Sequence, residues 1–377
     1  MNSKILFTGG HFNSSVAVID WLSEKGSIKT DFVWVGKKYT KGSCGSTTPE
    51  YIEVSRREIP FYHLNAGKLF RTTSIRFFPS VILGILLIPA GFVQSLYILL
   101  KERPSLVVSF GGFLALPVVV CSKLLGIKTV THEQTVVLGL ANQIISKFAE
   151  NIYTSWPVRY YKVSPKIRQK MVYTGLPLSS GIFKEDKKIN FNNNLPVIYA
   201  TGGKAGAKFI NSLILNSLPD LLPKANLVWS FGGSFGEKTF AEAKDSISKL
   251  KKEAKGKVIL RKYIFEDEIG AVYSISDLVV CRGGAHTIYE IALLKKKALV
   301  IPIPWSSNNE QYLNACIIEK LGLGKILEQE SLTSQEFVKS IFRTISEETG
   351  GKTSEAVYIE KNGQAKLGNE IIKHLKT

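Results

Sequence analysis

Cysteine is scarce in this chain and sits nowhere that would build a redox or metal site. The four cysteines, Cys44, Cys121, Cys281 and Cys316, are far apart and form no CxxC pair. A disulfide framework and a zinc ribbon are therefore excluded, and buried thiols in a reducing cytoplasm are expected. Histidine is nearly as rare. His11, His63, His132, His286 and His374 show neither HExxH nor any other ligand spacing, so no metal is expected. The N-terminus, MNSKILFTGGH, carries an apolar run too short for a secretory leader, so no export is expected. Acidic residues are also in deficit: 31 Asp and Glu stand against 49 Lys and Arg, a formal charge of +18. That excess favours an anionic partner. It is scattered in clusters such as Lys37-Lys38, Lys251-Lys252 and Lys295 to Lys297, without an aromatic-interleaved basic tract. Nucleic acid is thus the weaker option, phosphorylated substrates and anionic lipid the stronger, and a merely solubilising lysine surface stays open.

At 377 residues, 45% of them apolar, the chain exceeds the roughly 250 to 300 residues at which one core stops growing, and two domains are expected. Short apolar runs alternate with longer helical patterns, the signature of parallel βαβ units and an α/β fold. The runs read as strands are Lys4 to Thr8, Phe32 to Val35, Leu106 to Ser109, Thr129 to His132, Asn151 to Thr154, Pro196 to Thr201, Asn226 to Ser230, Val258 to Arg261, Leu278 to Cys281 and Ala298 to Ile303. A polar, Asn-rich stretch interrupts this rhythm. It divides the chain into an N-terminal domain over 1–178, a linker over 179–194 and a C-terminal domain over 195–354. The last segment, 355–377, reads as helix, and its periodicity does not say which domain it joins.

One segment is apolar enough to raise the question of a membrane. Phe77 to Leu100 has no charge, is interrupted by Pro79, Pro89 and Gln94, and is flanked by Arg71, Arg76, Lys101 and Arg103. A bilayer span, a buried α/β helix and a helix docked on a membrane surface compete for it. The span is disfavoured because it would break a Rossmann-like half.

Five apolar runs end in a glycine pair: FTGGH, VSFGGF, ATGGKAGA, WSFGG and CRGGAH. Glycine at the carboxyl end of a parallel strand lets backbone approach a ligand, and that edge is where open α/β sheets bind. Any one pair alone is equally a tight turn. The loop Gly202, Gly203, Lys204, Ala205, Gly206, Ala207 opens a helix, whose free amides and positive end suit a phosphate. It is neither GxGxxG nor a Walker motif, so redox and NTPase chemistry are not indicated. The run Arg282-Gly283-Gly284-Ala285 repeats the device, with Thr287 in the first turn and Glu290 three residues later on the same side. Glu290 suits the hydroxyls of a ribose, or it merely answers the helix dipole or a lysine. Asn309, Glu310 and Gln311 offer amide and carboxylate groups for sugar hydroxyls. His11, at the end of the first run beside Gly9 and Gly10, is a candidate proton acceptor, and His132 is read as structural.

In combination, TGGH, SFGGFLALP, HEQTVVLGLAN, GGKAGAKFIN, CRGGAHTIYEIA and IPIPWSSNNEQYLNA resemble the MurG family of peptidoglycan N-acetylglucosaminyl transferases, in order from Lys4 to Gln329. The resemblance implies a GT-B fold, two Rossmann-like domains with parallel sheets facing across a cleft. It implies UDP-N-acetylglucosamine as donor, a lipid-linked muramyl-pentapeptide as acceptor, no cofactor, and a peripheral enzyme on the anionic cytoplasmic face of the cell membrane. It further implies His11 and Glu133 as catalytic residues and Gly10, Asn13 and Asn142 on the acceptor side. Gly202, Gly203, Lys204, Gly206, Arg282, Gly284, Ala285, Thr287, Glu290, Glu310 and Gln311 fall at the donor. The chain departs from the family in a shorter N-terminal glycine loop, and in Lys204, Thr135, Ser179 and Glu310 where the family carries Ser, Asn, Arg and His or Gln. A transferase of the same fold acting on diacylglycerol or another lipid, and a non-catalytic nucleotide-sugar-binding subunit, stay open.

Overall fold

The computed structural model describes residues 3–25, 30–39, 47–67, 78–184, 189–233, 237–250, 254–348 and 358–376. Cys44, Arg71, Arg76, Phe77, Lys251 and Lys252 lie outside these residues. The chain divides into two compact units, Met1–Ser179 with Glu360–Thr377, and Ser180–Ile359.

In the first unit the chain runs β1 (Ser3–Thr8), α1 (Phe12–Lys25), β2 (Thr30–Gly36), α2 (Pro49–Ser55), β3 (Phe61–His63), α3 (Phe78–Glu102), β4 (Leu106–Ser109), α4 (Ala115–Leu124), β5 (Lys128–Glu133), α5 (Leu140–Phe148), β6 (Asn151–Thr154), α6 (Pro165–Arg168) and β7 (Met171–Tyr173). Among the described residues these strands form one parallel sheet in the order β3-β2-β1-β4-β5-β6-β7. Its central strands are near-continuous apolar runs because both faces are covered. Leu106 and Val107 on β4 and Ile5 and Leu6 on β1 are fully buried. Thr48 caps α2 by accepting from Tyr51 N, and Pro49 stands in the first turn, where a missing N–H costs nothing.

The apolar segment forms a single helix, α3, with Pro89 inside it. From Leu87 onward its side chains divide. Gly91, Ser95, Ile98 and Leu99 are buried against the unit, while Val93, Leu96, Tyr97 and Leu100 are exposed. Among the described residues no helix is long and apolar enough to cross a membrane.

The second unit runs β8 (Val197–Thr201), α7 (Lys208–Leu221), β9 (Asn226–Ser230), α8 (Glu237–Leu250), β10 (Val258–Arg261), α9 (Ile269–Ile275), β11 (Leu278–Cys281), α10 (Ala285–Leu294), β12 (Ala298–Val300), α11 (Glu310–Lys320), β13 (Gly324–Ile326) and α12 (Ser334–Ser346). Its parallel sheet has the order β10-β9-β8-β11-β12-β13. The chain reverses between β8 and β11, the switch point at which such sheets take ligands. A capping box between Thr333 and Glu336 starts α12. Ser180–Phe183, read as the head of a linker, is a 3-10 turn packed on α9 within this unit, while 185–188 lie outside the described residues.

The final helix, α13 (Gly363–Lys376), packs against α1 and places Leu367 and Ile371 in the core of the first unit. Close approach of Trp21 leaves no room for a β-carbon at Gly368. Residues 355–357 of the expected helix lie outside the described residues.

Candidate functional site

At the carboxyl edge of the second sheet the loops after β8, β11, β12 and β13 surround a pocket of about 770 Å³, within the range of small-ligand sites. Gly202, Gly203, Gly206, Arg282, Gly284, Thr287 and Gln311 line it. Two glycine loops exist partly to meet each other: a β-carbon on Gly232 would lie 2.1 Å from Gly206 Cα. Gly284 is different. Its backbone, φ −68° and ψ 140°, suits any residue, and a β-carbon there would meet nothing within 4 Å. The protein itself does not require glycine at that point of the pocket wall.

Arg282 is 9% exposed, and its Nη1 donates to Ile301 O at 2.8 Å and Pro302 O at 3.3 Å. Burial lowers its pKa to about 10, so the group is still a cation at neutral pH. Among the described residues its Nε has no hydrogen-bond partner. A buried cation held by neutral carbonyls is matched by an anion that enters the pocket. Gln311 is held by Ile303 N, which donates to its Oε1 at 3.1 Å and so turns the side-chain amide group outward.

Glu290, on the second turn of α10, stands beside the pocket wall. Its Oε2 accepts from the hydroxyl of buried Tyr273 at 2.8 Å. Burial pushes its pKa up to about 7, against the Tyr273 hydrogen bond; nearby Glu266 adds to the rise and Lys204 opposes it. Lys204 is exposed and pairs with Glu266 at 3.9 Å, so its charge is partly matched and solvent-screened. Ala285 opens α10 and Glu310 opens α11; Lys204, Ala285, Glu290 and Glu310 do not line the pocket.

At the carboxyl edge of the first sheet, the loops after β1 and β4 touch through glycine. Gly10 N donates to Gly111 O at 3.2 Å, and a β-carbon on Gly9 would stand 2.9 Å from that oxygen. His11 is solvent-exposed, yet the protein around it lowers its pKa by desolvation, which favours the neutral, proton-accepting imidazole. Asn13 follows in the first turn of α1, half-buried. His132 is fully buried, bonded through Nε2 to Gly175 O at 3.1 Å, with its pKa lowered to about 4 by burial.

Glu133 does not fit the proton-transfer role expected of it. It is 4% exposed, and each carboxylate oxygen has two donors: Thr135 N and Oγ1 on Oε1, both at 3.0 Å, and Gly139 N and Asn142 Nδ2 on Oε2, both at 2.9 Å. The Thr135 hydroxyl also reaches Val137 O and has one proton to give, so the committed donors are the three N–H groups; held by them in a buried place, Glu133 braces the loop between β5 and α5. Asn142 is likewise buried, joined to Thr131 Oγ1 and Glu133. It is a brace beneath the edge rather than a surface contact.

Sequence reasoning missed Phe209, Ser212, Trp305 and Gln329, which line the pocket; Phe209 and Trp305 stand unremarked inside GGKAGAKFIN and IPIPWSSNNEQYLNA, and Ser212 and Gln329 lie outside the motifs. It also missed Asn314, whose Nδ2 donates to Gly283 O at 3.0 Å and ties α11 to the loop after β11. Exposed Tyr263 and Phe265, with ring centroids 6.2 Å apart, precede Glu266. Only their aromatic character near a site carboxylate could have drawn notice.

The model of the glycosyltransferase family 28 N-terminal domain matches residues 8–154, and that of the family 28 C-terminal domain matches residues 197–367. The UDP-N-acetylglucosamine--N-acetylmuramyl-(pentapeptide) pyrophosphoryl-undecaprenol N-acetylglucosamine transferase of Clostridium perfringens (strain SM101 / Type A) is 30% identical over 353 residues, 90% of this chain and 89% of that protein. The transferase of the same name from Treponema denticola is 31% identical over 341 residues, 88% and 84% of the two chains. The crystal structure of Acinetobacter baumannii MurG superposes with a TM-score of 0.68 at 21% identity, covering 98% of this chain and 99% of that one. The calicheamicin glycosyltransferase CalG4 gives 0.69 at 11% identity, covering 100% and 98%. These two structures have the GT-B fold, which this chain shares.

Proposed function

The chain belongs to glycosyltransferase family 28, and from that premise we propose that it moves N-acetylglucosamine from UDP-N-acetylglucosamine to a lipid-linked muramyl-pentapeptide, with inversion at the transferred carbon. The observation that carries the donor half is Arg282: a buried cation on a pocket wall whose Nη1 donates to main-chain carbonyls and whose Nε has no hydrogen-bond partner among the described residues. The diphosphate of a nucleotide sugar supplies the missing charge. The loop Gly202 to Ala207 and the amino end of α10 add amides that strengthen as the leaving diphosphate gains charge. Glu290, with Oε2 taken by Tyr273, leaves Oε1 for the ribose hydroxyls. Exposed Phe265 offers a face for the base, and the outward amide group of Gln311 reaches the sugar.

His11 is the base that takes the acceptor hydroxyl proton as the bond between sugar and diphosphate breaks. Gly10 and Asn13 flank the acceptor there, and Glu133 and Asn142 hold the loop beneath. No step draws on a cofactor. The enzyme acts peripherally on the cytoplasmic face of the cell membrane. In support, helices α3, α4 and α5 pack in succession and expose Val93, Tyr97, Leu124 and Ile144 beside exposed Lys101, Arg103, Lys123 and Lys147, the chemistry of an anionic lipid surface.

The test is release of UDP from UDP-N-acetylglucosamine with the lipid-linked muramyl-pentapeptide, with diacylglycerol, and with no acceptor. Release with the first alone is expected. Release with diacylglycerol alone would transfer the assignment to another lipid, and no release with any acceptor would leave a binding subunit.

A further inference from the structure

Gln329 lies outside every motif the sequence displays, on the loop after β13, and lines the pocket together with Arg282, Thr287, Ile303 and Gln311. Two buried polar atoms of residues on that wall have no hydrogen-bond partner among the described residues: Arg282 Nε, a donor, and Gln329 Oε1, an acceptor. Arg282 is not at liberty to turn and repair its own deficit. Its Nη1 is committed to Ile301 O and Pro302 O, and its guanidinium lies 5.8 Å from the Phe209 ring centroid. Buried polar atoms are matched in the working state of a protein, by ligand where not by the chain.

The two orphans differ in sign, and that narrows the ligand. A phosphate oxygen only accepts, so it satisfies Arg282 and leaves Gln329 Oε1 unmatched. A hydroxyl accepts and donates at once, so a single one placed between the two side chains satisfies both. Turning the carboxamide over would present its NH2 instead, making both atoms donors and suiting a phosphate; the experiment below separates these arrangements.

We propose that Gln329 is a positioning residue for the transferred hexose, holding one sugar hydroxyl jointly with Arg282 Nε so that the glycosyl carbon is aimed, while the charge of the same guanidinium and the amides of the Gly202 to Ala207 loop serve the diphosphate. The inference rests on the nucleotide-sugar reading of this pocket and adds the residue that distinguishes a nucleotide sugar from the bare nucleotide. Gln311 and Glu290, read from motifs, act on the sugar and the ribose; Gln329 enters from the loop of the edge strand β13, beside β12.

The experiment measures binding of UDP and of UDP-N-acetylglucosamine to the full chain by calorimetry, for wild type, Gln329→Met and Gln329→Ala. Methionine keeps the length and volume of glutamine and removes its hydrogen bonds. Affinity for UDP-N-acetylglucosamine should fall roughly five- to tenfold in Gln329→Met, while affinity for UDP stays within about twofold of wild type. Equal losses for both ligands would place Gln329 on the diphosphate and overturn the proposal, and so would unchanged binding of both. Gln329→Ala gives the same readout should methionine disturb the fold, with a thermal midpoint like that of wild type as the control. Failure of the underlying donor reading looks different, because wild type itself would then bind neither ligand.

Discussion

Two glutamates stand at the carboxyl edges of the two sheets, and burial raises the pKa of both. Their surroundings are opposite. Glu133 has three N–H donors and a share of the Thr135 hydroxyl, all from within its own loop and helix. Glu290 has one, the hydroxyl of Tyr273 on Oε2. Burial alone therefore does not mark a functional carboxylate. What distinguishes the two is unspent hydrogen-bonding capacity: a saturated carboxylate is scaffold, and a carboxylate with a free oxygen beside a pocket is poised for a ligand.

The comparison breaks first at the proton. If Glu133 is scaffold, the reachable base of the first edge is His11, exposed and biased toward its neutral form. General-base help is worth roughly two to four orders of magnitude. His11→Ala should lose that much turnover in the UDP-release assay, while UDP-N-acetylglucosamine binding measured by calorimetry stays unchanged. Turnover within a factor of about three of wild type would remove His11 from the mechanism.

Glu133→Gln tests the scaffold side directly. The carboxamide nitrogen would face donors in place of one accepting oxygen, and leaving buried donors unmatched costs about 1–3 kcal/mol. The expected outcome is a lowered thermal midpoint with turnover per folded molecule reduced less than tenfold. The reverse pattern, full stability and abolished turnover, would make Glu133 the base and end the distinction drawn here.

How much of this was legible in the sequence follows the same division. Strands buried on both faces announce themselves as apolar runs, and Leu106–Ser109 and Leu278–Cys281 occupy the expected residues. Phe61–His63, Met171–Tyr173 and Gly324–Ile326 were not foreseen. Three residues carry no periodicity, and each pairs only because a neighbouring strand presents its edge. The run from Ala298 was expected to continue to Ile303, but the strand ends at Val300, shortly before Pro302, which has no N–H to give a ladder. Motifs located Glu290, Arg282 and Gln311, since Arg282 precedes a glycine pair, Glu290 lies on the helix after that pair, and Gln311 stands at a helix start. They could not tell that Glu133 is saturated, because its partners return from Gly139 and Asn142. Nor could they find Gln329, whose place depends on where β13 docks.

The smallest and most specific effect belongs to Glu290 and is read through pH. Its folded-state pKa is about 7 against an ordinary 4.5. The folded state thus binds the proton more tightly than the unfolded chain does, so the associated stability is fully present below about pH 4.5 and is lost as pH rises through 7. Ligand affinity runs the other way. An ionised carboxylate is the stronger acceptor for ribose hydroxyls, so affinity for UDP-N-acetylglucosamine should climb as pH rises from 6 to 8. Glu290→Gln keeps an oxygen acceptor and cannot ionise. Relative to wild type it should bind nearly as well at pH 6 and roughly tenfold more weakly at pH 8. Its apo stability should fall less with pH over the same interval. Glu50, raised to about 7 by burial beside Trp34, titrates equally in both proteins and cancels in the difference. A difference in affinity that does not change between pH 6 and 8 would mean that Glu290 meets no ligand hydroxyl, and the contrast with Glu133 would then be one of burial alone.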